Sequence, residues 1–395
     1  MPKLSVDQLD LAGKRVFLRV DLNVPLEDGR VAEDTRIRAV VPTIEHCLKA
    51  GASVILASHL GRPKGKVDPR YSLAPVAARL DELLGRPVPL LPDCAGPEVE
   101  AAAAALKPGD TVLLENLRFH PGEEANDPEF ARRLAALADV YVDDAFAAAH
   151  RAHASTEGIT RFLQPAAAGL LMARELEALG RIFERPERPV AAVLGGAKVS
   201  DKLALVEHLL TRVDALLIGG GMAFTFLAAL GHGVGRSLLE ADRLEEARGI
   251  LARARSLGVR VRLPVDVVVA TSPDSADGIR TVGTREIPDE LMGLDIGPLT
   301  VAQFGAALQG AKTVVWNGPM GVFEKPAFAA GTLGVARAVS RCGAFSVIGG
   351  GDTIAAVRQA GVIDRIGYIS TAGGAFLEFL EGRVLPGVAA LGEAP

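Results

Sequence analysis

Short apolar runs alternate with alanine- and leucine-rich stretches of helical periodicity along the whole chain. Ten runs predict strands, and they span 15–24, 53–60, 111–119, 140–149, 189–196, 214–221, 260–270, 312–319, 345–353 and 368–374. Most are continuously apolar, as in strands of a parallel sheet covered by helices on both faces. Between them, residues 128–138, 242–258 and 331–342 predict helices. The repeated strand–helix order predicts an α/β protein of the doubly wound, Rossmann-like class.

A break in the strand pattern divides the chain into two parts. Residues 166–189 read as one long helix followed by a proline- and charge-rich stop. At 395 residues the chain also exceeds the size at which a single core usually keeps growing. We therefore predict two parallel-sheet domains, 1–170 and 189–374, joined by an interdomain helix and hinge over 171–188.

Composition limits the kinds of partner. The net charge is only −5 and 23% of residues are charged, so the whole chain has no bias toward nucleic acid or an anionic membrane. Any anion site must be local. Three cysteines lie far apart without CxxC spacing, which argues against a zinc site and a disulfide framework: Cys47, Cys94 and Cys342. With no apolar leader or membrane-spanning window, we expect a cytoplasmic protein, and a monomer is the simplest expectation.

Charged and glycine-rich segments follow the predicted strands, where open parallel sheets bind ligands. Cationic side chains end or follow the strands of the first half: Arg36, Arg38, His59, Arg62, Lys64, Arg118, His120, Arg151 and His153. Arginine forks match phosphate and carboxylate oxygens, so this half predicts a pocket for a small, highly anionic metabolite. Singly, each arginine can equally be a solvated surface group. His150 and His153 have a spacing that permits metal binding, but the intervening Arg151 would repel a cation.

Glycine clusters end the strands of the second half, where backbone N–H groups can approach phosphates closely. The turn 349–353 leads into a helical stretch, and 370–382 offers a second such turn. One cluster alone can be a simple tight turn. Neither GxxxxGK[ST] nor a GxGxxG in the dinucleotide register is present, and the G-x-S-x-G elbow of hydrolases is also missing. A nucleotide site here would not use the common fingerprints.

Two lysines, Lys198 and Lys202, stand one helical turn apart where a helix should begin. Like charges at that spacing repel by roughly 0.2–0.5 kcal/mol, and cations oppose the dipole at a helix N-terminus. A bound anion would relieve both effects. Phosphoryl transfer needs positive charge and positioning more than covalent chemistry, so the pattern favours a phosphotransferase with donor and acceptor on different domains.

Ten motifs, in order along almost the whole chain, carry a resemblance to a known family. They are RVDLNVP, SHLGRPKG, ENLRF, DDAF…AHRAHAS, LGGAKVSDK, IGGGMAFTF, DIGP, WNGPMGVFE, GGGDT and LEGRVLPGV. Together they resemble phosphoglycerate kinase. The resemblance implies reversible, in-line phosphoryl transfer between Mg-ATP and 3-phosphoglycerate, giving Mg-ADP and 1,3-bisphosphoglycerate, in a cleft closed by hinge bending. It also implies that the tail 375–395 packs back on the N-terminal domain.

The resemblance assigns site residues by position. It implies an acid-substrate set of Asp21, Asn23, Arg36, His59, Arg62, Arg118 and Arg151. It implies a nucleotide set of Lys198, Lys202, Gly219, Gly220, Gly293, Asn317, Glu324, Gly350, Gly351, Asp352 and Thr353, with Asp352 on Mg²⁺. Glu324 would hold the ribose, and Gly219, Gly220, Gly293 and Asn317 would lie near base or ribose. The groups acting on the transferred phosphoryl would be Arg36, Lys198, Gly350 and Gly373, the last with Gly374.

This chain departs from the family pattern at four positions: Ala147, Ala148, Ala372 and Phe376. Ala372 places a Cβ where glycine is common, although Gly373 and Gly374 remain. Two alternatives stay open. One is a non-catalytic nucleotide-binding protein on the same fold, and the other is a small-molecule kinase with a different acceptor.

Overall fold

The computed structural model describes residues 2–275 and 277–394. The chain divides into two compact units: unit 1, Met1–Leu176 with Val384–Pro395, and unit 2, Glu177–Arg383. The division falls within a helix, α6 (Leu170–Phe183), that lies largely in the segment predicted as interdomain helix. Residues 184–189, predicted as its stop, are not helical.

Unit 1 is built on a five-stranded parallel sheet of order β5-β4-β1-β6-β7. Its strands are β1 (Arg15–Arg19), β4 (Ser53–Ala57), β5 (Thr111–Leu113), β6 (Val140–Asp143) and β7 (Ala166–Ala168), with a small antiparallel pair β2 (Leu26–Glu27) and β3 (Arg30–Val31). Its helices are α1 (Thr35–Lys49), α2 (Ala74–Leu84), α3 (Pro97–Ala104), α4 (Pro121–Glu124), α5 (Pro128–Ala135), the start of α6, and α14 (Pro386–Ala389). Arg19 pairs with Ala57 on one side and Asp143 on the other, so three central strands end level.

The prediction of one helix over 166–189 is wrong at its start. Residues Ala166–Ala168 form strand β7, and the helix begins at Leu170. Alanine favours helices, but these three residues complete the backbone ladder of β6 and are buried. Gly169 makes the turn against Asp144, whose Oδ1 would lie 2.2 Å from a Cβ added there. Tertiary pairing therefore overrides local propensity.

Unit 2 contains a six-stranded parallel sheet of order β10-β9-β8-β14-β15-β16. Its strands are β8 (Val190–Leu194), β9 (Ala215–Ile218), β10 (Arg260–Arg262), β14 (Thr313–Asn317), β15 (Phe345–Gly349) and β16 (Tyr368–Ser370). Its helices are α7 (Leu203–Leu210), α8 (Met222–Ala229), α9 (Leu244–Ser256), α10 (Pro298–Leu308), α11 (Ala330–Arg341), α12 (Gly351–Gln359) and α13 (Gly374–Leu380). Its core surrounds the fully buried Trp316.

A second, antiparallel sheet in unit 2 was not predicted. It has the order β12-β11-β13, formed by β11 (Asp266–Ala270), β12 (Arg280–Gly283) and β13 (Met292–Ile296). The single strand predicted over 260–270 is in fact two, β10 and β11. Pro264 lies between them and cannot donate to a ladder.

The C-terminal tail of unit 1 is shorter than expected. It begins at Val384, and helix α13, expected to belong to it, lies in unit 2. Within unit 1, Gly387 N–H donates to the Ala149 carbonyl and Gly392 N–H donates to the Ala166 carbonyl, both at 2.9 Å. The described residues contain no helix long and apolar enough to cross a membrane.

Candidate active site

Two carboxyl-terminal strand ends of unit 1 share a small polar cluster. Arg36, in the first turn of α1, donates from Nη1 to Asp21 Oδ2 at 2.9 Å and to the Asn23 carbonyl at 3.1 Å. Asn23 Oδ1 accepts the Gly61 N–H at 2.9 Å, which ties the segment after β1 to that after β4. The Asp21 carboxylate and the Asn23 backbone carbonyl thus hold the guanidinium at the sheet edge, and the Arg36 side chain remains 37% exposed.

Arg118 joins this cluster from the strand end after β5. Its Nη1 donates to the Gly61 carbonyl at 2.9 Å, and its Nε lies 3.3 Å from Glu124 Oε1. The short 3-10 turn Leu117–Phe119 that carries it is capped by Asn116, whose Oδ1 accepts the Arg118 N–H at 3.0 Å. Burial lowers the pKa of Arg118, against the effect of Glu124.

His59 is buried among positive charges. Burial lowers its pKa well below the usual range, and the charges of Arg19, Arg118 and Arg36 lower it further. His153 is in the same situation, since burial and then Arg118 and Arg19 lower its pKa to about 3. Both rings are therefore neutral at physiological pH, in a region whose field is strongly positive. Such a field attracts a multiply charged anion.

Two predicted residues lie more loosely in unit 1. Arg62 is exposed directly after Gly61, and Arg151 is exposed with its Nε 3.1 Å from His150 Nε2. The histidine pair predicted as an improbable metal site stays unsupported, because Arg151 contributes positive charge to His153.

Sequence reasoning missed Arg19 as a site residue. Arg19 ends β1, is only 1% exposed, and contacts His59. A signal was available, because an arginine inside the apolar run 15–24 needs a buried partner.

In unit 2 the glycine-rich strand ends border a cavity of about 280 Å³. Its lining includes the predicted Gly220, Gly293, Glu324 and Asp352, with Phe224 among its apolar walls. Three positions admit no side chain without displacement. A Cβ at Gly293 would lie 2.0 Å from the Phe224 ring, one at Gly219 would lie 2.5 Å from Met320 Sδ, and one at Gly220 would lie 2.7 Å from Gly196 N. These glycines allow strands and turns to close around the cavity.

Lys202 and Asn317 form a bonded pair near the glycine turn. The Lys202 ammonium donates to Asn317 Oδ1, and Asn317 Nδ2 donates to the Gly349 carbonyl at 2.7 Å. Burial lowers the pKa of Lys202 from 10.5 to about 8, although nearby acidic groups including Asp352 oppose the shift. Asn317 contacts Lys202 and the Gly349 carbonyl, and its place near base or ribose stays a prediction. Its amide is occupied in orienting the lysine.

The spacing of Lys198 and Lys202 indicated that both lie at the start of one helix, but neither lies within an α-helix. Lys198 is exposed on the loop after β8, and Lys202 ends a 3-10 turn, Ser200–Lys202, directly before α7. Of the two lysines, Lys202 opposes the dipole of α7, because it occupies the N-cap position of that helix.

The turn at the start of α12 has the geometry of an anion-binding helix terminus. Gly350 has φ +94°, and Gly351 begins the helix. Thr353 is buried, and its hydroxyl accepts the Gly318 N–H at 2.8 Å, so it stabilises the turn. Asp352 is exposed in the first turn and lines the cavity. One carboxylate beside a phosphate-sized opening suits Mg²⁺, which usually takes one or two carboxylates and completes its shell with phosphate and water.

The second glycine turn precedes α13. Gly373 has φ +56° with open space around its Cβ position, and Gly374 begins the helix. The departure at Phe376 has a packing reason, because its buried ring lies where a Cβ on Gly349 would be, 2.3 Å from Cδ1. Ala372 is buried and its N–H lies 3.4 Å from Ser370 Oγ.

Two parallel-sheet units, one with cationic strand ends and the other with glycine turns, a lysine and a cavity, define a small-molecule phosphotransferase. A family model described as phosphoglycerate kinase matches residues 6–383. The chain belongs to the phosphoglycerate kinase family, and the predicted fold class and family are confirmed.

Relatives agree over the full length. The chain is 59% identical over 393 residues to a phosphoglycerate kinase of Moorella thermoacetica, covering 100% of both chains. It is 59% identical over 391 residues to that of Pelotomaculum thermopropionicum, covering 99% of each. The solved structure of phosphoglycerate kinase from Coxiella burnetii matches with TM-score 0.93 and 44% identity, covering 98% of both chains. The Pyrococcus horikoshii enzyme matches with TM-score 0.79 and 35% identity, again over 98% of each.

Proposed function

We propose that this chain transfers a phosphoryl group reversibly between Mg-ATP and 3-phosphoglycerate, with unit 1 binding the acid and unit 2 the nucleotide. The observation that carries the proposal is the convergence of positive charge on His59 from Arg19, Arg36 and Arg118 in unit 1. The acidic partners Glu123, Asp21 and Glu124 offset part of this charge, one for each arginine, and the three cations still repel one another. A substrate with a phosphate and a carboxylate supplies the compensating negative charge.

In unit 1 the acid is held by hydrogen-bond donors already fixed at the strand ends. Arg118 and His59, with Arg62 and Arg151 from exposed positions, contribute donors for its anionic groups. Asp21 and Asn23 keep Arg36 in place through Asp21 Oδ2 and the Asn23 carbonyl. Arg36 is assigned to the charge that develops on the transferred group, because its guanidinium is held yet still partly exposed.

In unit 2 the nucleotide occupies the glycine-lined cavity and its phosphates meet the turn at Gly350–Gly351. The family resemblance assigns Glu324 to the ribose, and Glu324 lies in the cavity lining. Lys202 binds a phosphate that remains with the nucleotide, since it is part-buried and anchored to Asn317. Lys198, exposed on the loop after β8, is assigned to the moving phosphoryl group.

Mg²⁺ would be held by Asp352, whose exposed carboxylate borders the cavity. When bound, the ion neutralises phosphate charge. Donor and acceptor bind to different units, so transfer requires hinge bending that brings the substrates in line and excludes water. Gly373 and Gly374 contribute backbone N–H groups to the transferred group in this proposal.

The test is a coupled assay of ADP formation from Mg-ATP with and without 3-phosphoglycerate. Turnover that depends on this acid supports the proposal. Nucleotide binding by calorimetry without turnover would instead establish the non-catalytic alternative. Turnover with another acid in an acceptor screen, and none with 3-phosphoglycerate, would establish the different kinase.

The expectations of a cytoplasmic location and a monomeric state remain predictions. Cell fractionation tests the first, and light scattering on the purified protein tests the second.

A further inference from the structure

Arg19 is an arginine enclosed almost completely within unit 1. It is 1% exposed and is among the largest fully buried side chains of the described residues. Its Nε donates to Ser155 Oγ at 2.9 Å, its Nη1 donates to the Val20 carbonyl, and its Nη2 lies 3.2 Å from His59 Nδ1. An enclosed charge is costly unless it is paired and hydrogen-bonded, and here each of the three nitrogens has one partner.

The contact with His59 determines where the imidazole proton sits. A guanidinium carries only donors and stays protonated in proteins. A hydrogen bond from Nη2 to Nδ1 therefore requires a lone pair on Nδ1. In a neutral imidazole the single proton is then on Nε2.

We propose that Arg19 is a positioning residue that holds His59 neutral with its proton on Nε2, so that the ring offers an N–H donor to the anionic acid substrate. The inference rests on the proposed function for the identity of that substrate. In the other tautomer, Nε2 would present a lone pair to an anion, which is repulsive.

A buried carboxylate compensates the charge of Arg19 through Ser155. The Ser155 hydroxyl donates to Glu123 Oε1 at 2.6 Å, and the Ser155 N–H donates to Glu123 Oε2 at 3.0 Å. Glu123 is fully buried and interacts electrostatically with Arg19. Glu123, Ser155, Arg19 and His59 thus form a continuous hydrogen-bonded row that ends at a residue assigned to the acid substrate.

The other charged groups near His59 act in the same direction. Arg118 and Arg36 both disfavour the imidazolium form. Among the described residues that raise the positive field at His59, Arg19 is the one hydrogen-bonded to the ring. The surrounding cations therefore keep the ring neutral, while Arg19 selects which nitrogen carries the proton.

The tautomer can be measured on the whole protein without an activity assay. Long-range ¹H–¹⁵N correlation spectra of histidine-labelled protein distinguish the two tautomers and the charged ring, and His59→Gln assigns the signal. We expect the Nε2–H pattern from about pH 5.5 to about 8, on either side of the ordinary histidine pKa. A proton on Nδ1, or on both nitrogens, overturns the proposal.

Variants test whether Arg19 sets this state. In Arg19→Met we expect mixed tautomers and a KM for 3-phosphoglycerate raised about ten- to hundredfold, with the KM for ATP unchanged. Arg19→Lys, which retains a charged donor, should recover part of the Nε2–H tautomer and part of the affinity expressed in the KM for 3-phosphoglycerate. Arg15→Met is the matched control on the same strand, since Arg15 pairs with Asp139 at the strand's other end and should change neither quantity.

Folding failure does not leave the question open. If Arg19→Met does not fold, Ser155→Ala keeps Arg19 but removes its Nε acceptor, and partial loss of the Nε2–H pattern is expected. An unchanged tautomer and KM in a folded Arg19→Met protein would overturn the proposal. If 3-phosphoglycerate is not a substrate but the tautomer is as expected, the proposed function fails and this inference stands for the acid that does bind.

Discussion

Replacing Lys202 by methionine should make the free protein more stable and a weaker nucleotide binder. Burial lowers the pKa of this lysine from 10.5 to about 8, so its charge is disfavoured in the folded state. Methionine keeps most of the apolar stem without the charge. The residue is therefore retained for binding at a cost in stability.

The size of the effect follows from the pKa. A difference of about 2.5 in pKa corresponds to about 3 kcal/mol against the charged form. Loss of the charged hydrogen bond to Asn317 returns about 2 kcal/mol, which leaves a gain of about 1 kcal/mol. For a domain of this size, each kcal/mol raises Tm by about 2–4 °C.

The pH dependence has a defined sign. Below about pH 8 lysine is protonated in both the folded and the unfolded chain, so the whole cost is present. Between about 8 and 10.5 the folded protein loses this proton first, and wild-type stability rises relative to the variant. The Tm advantage of Lys202→Met should therefore shrink as pH approaches 10.5.

Differential scanning calorimetry at neutral and alkaline pH measures the stability, and isothermal titration with ADP measures the affinity, expected to fall at least about tenfold. Lys312→Met, at an exposed lysine of unit 2, is the control and should alter neither. A Lys202→Met protein that is less stable at neutral pH, or binds ADP as well as wild type, would refute the reasoning.

Three further predictions concern catalysis. Arg36→Ala should lower kcat about 10³-fold in the coupled assay. Arg38→Ala is the control, because Arg38 is exposed on the same helix, and its kcat should stay near wild type. A near-normal kcat in Arg36→Ala would show that the role assigned to Arg36 is wrong. Lys198→Ala should lower kcat while calorimetry shows ADP affinity within about twofold, and the reverse pattern contradicts the assignment. The Asp352→Asn variant should require a higher Mg²⁺ concentration for its half-maximal rate. An unchanged Mg²⁺ dependence would show that Asp352 does not hold the ion.

Much of the parallel-sheet architecture was predictable because its strands are continuously apolar. Each of the ten predicted runs contains a strand, from β1 to β16. Strands without that pattern were missed. β7 consists of three alanines, and β12 has no buried residue that would reveal it. Their strand state depends on pairing with distant segments, which local propensity does not report.

The residue types of the candidate site were readable, but several of their arrangements were not. Cationic side chains near apolar runs indicated Arg36, His59 and Arg118, and the family resemblance added Asp21 and Asn23. The structure places these five residues together or in one positive field. The hydrogen bond between Asn317 and Lys202 was not predicted. That contact joins residues 115 positions apart.

By itself, the sequence determined the alternation of buried strands and helices, the division into two parallel-sheet domains, the cationic and glycine-rich strand ends, and the family. Those properties are written in local periodicity and composition. Only the tertiary structure decided that the tail of unit 1 begins at Val384, that burial lowers the pKa of Lys202, and that buried Arg19 contacts His59. The burial of a side chain and its hydrogen-bond partners depend on which distant segments the fold brings into contact, and a local sequence pattern does not encode those contacts.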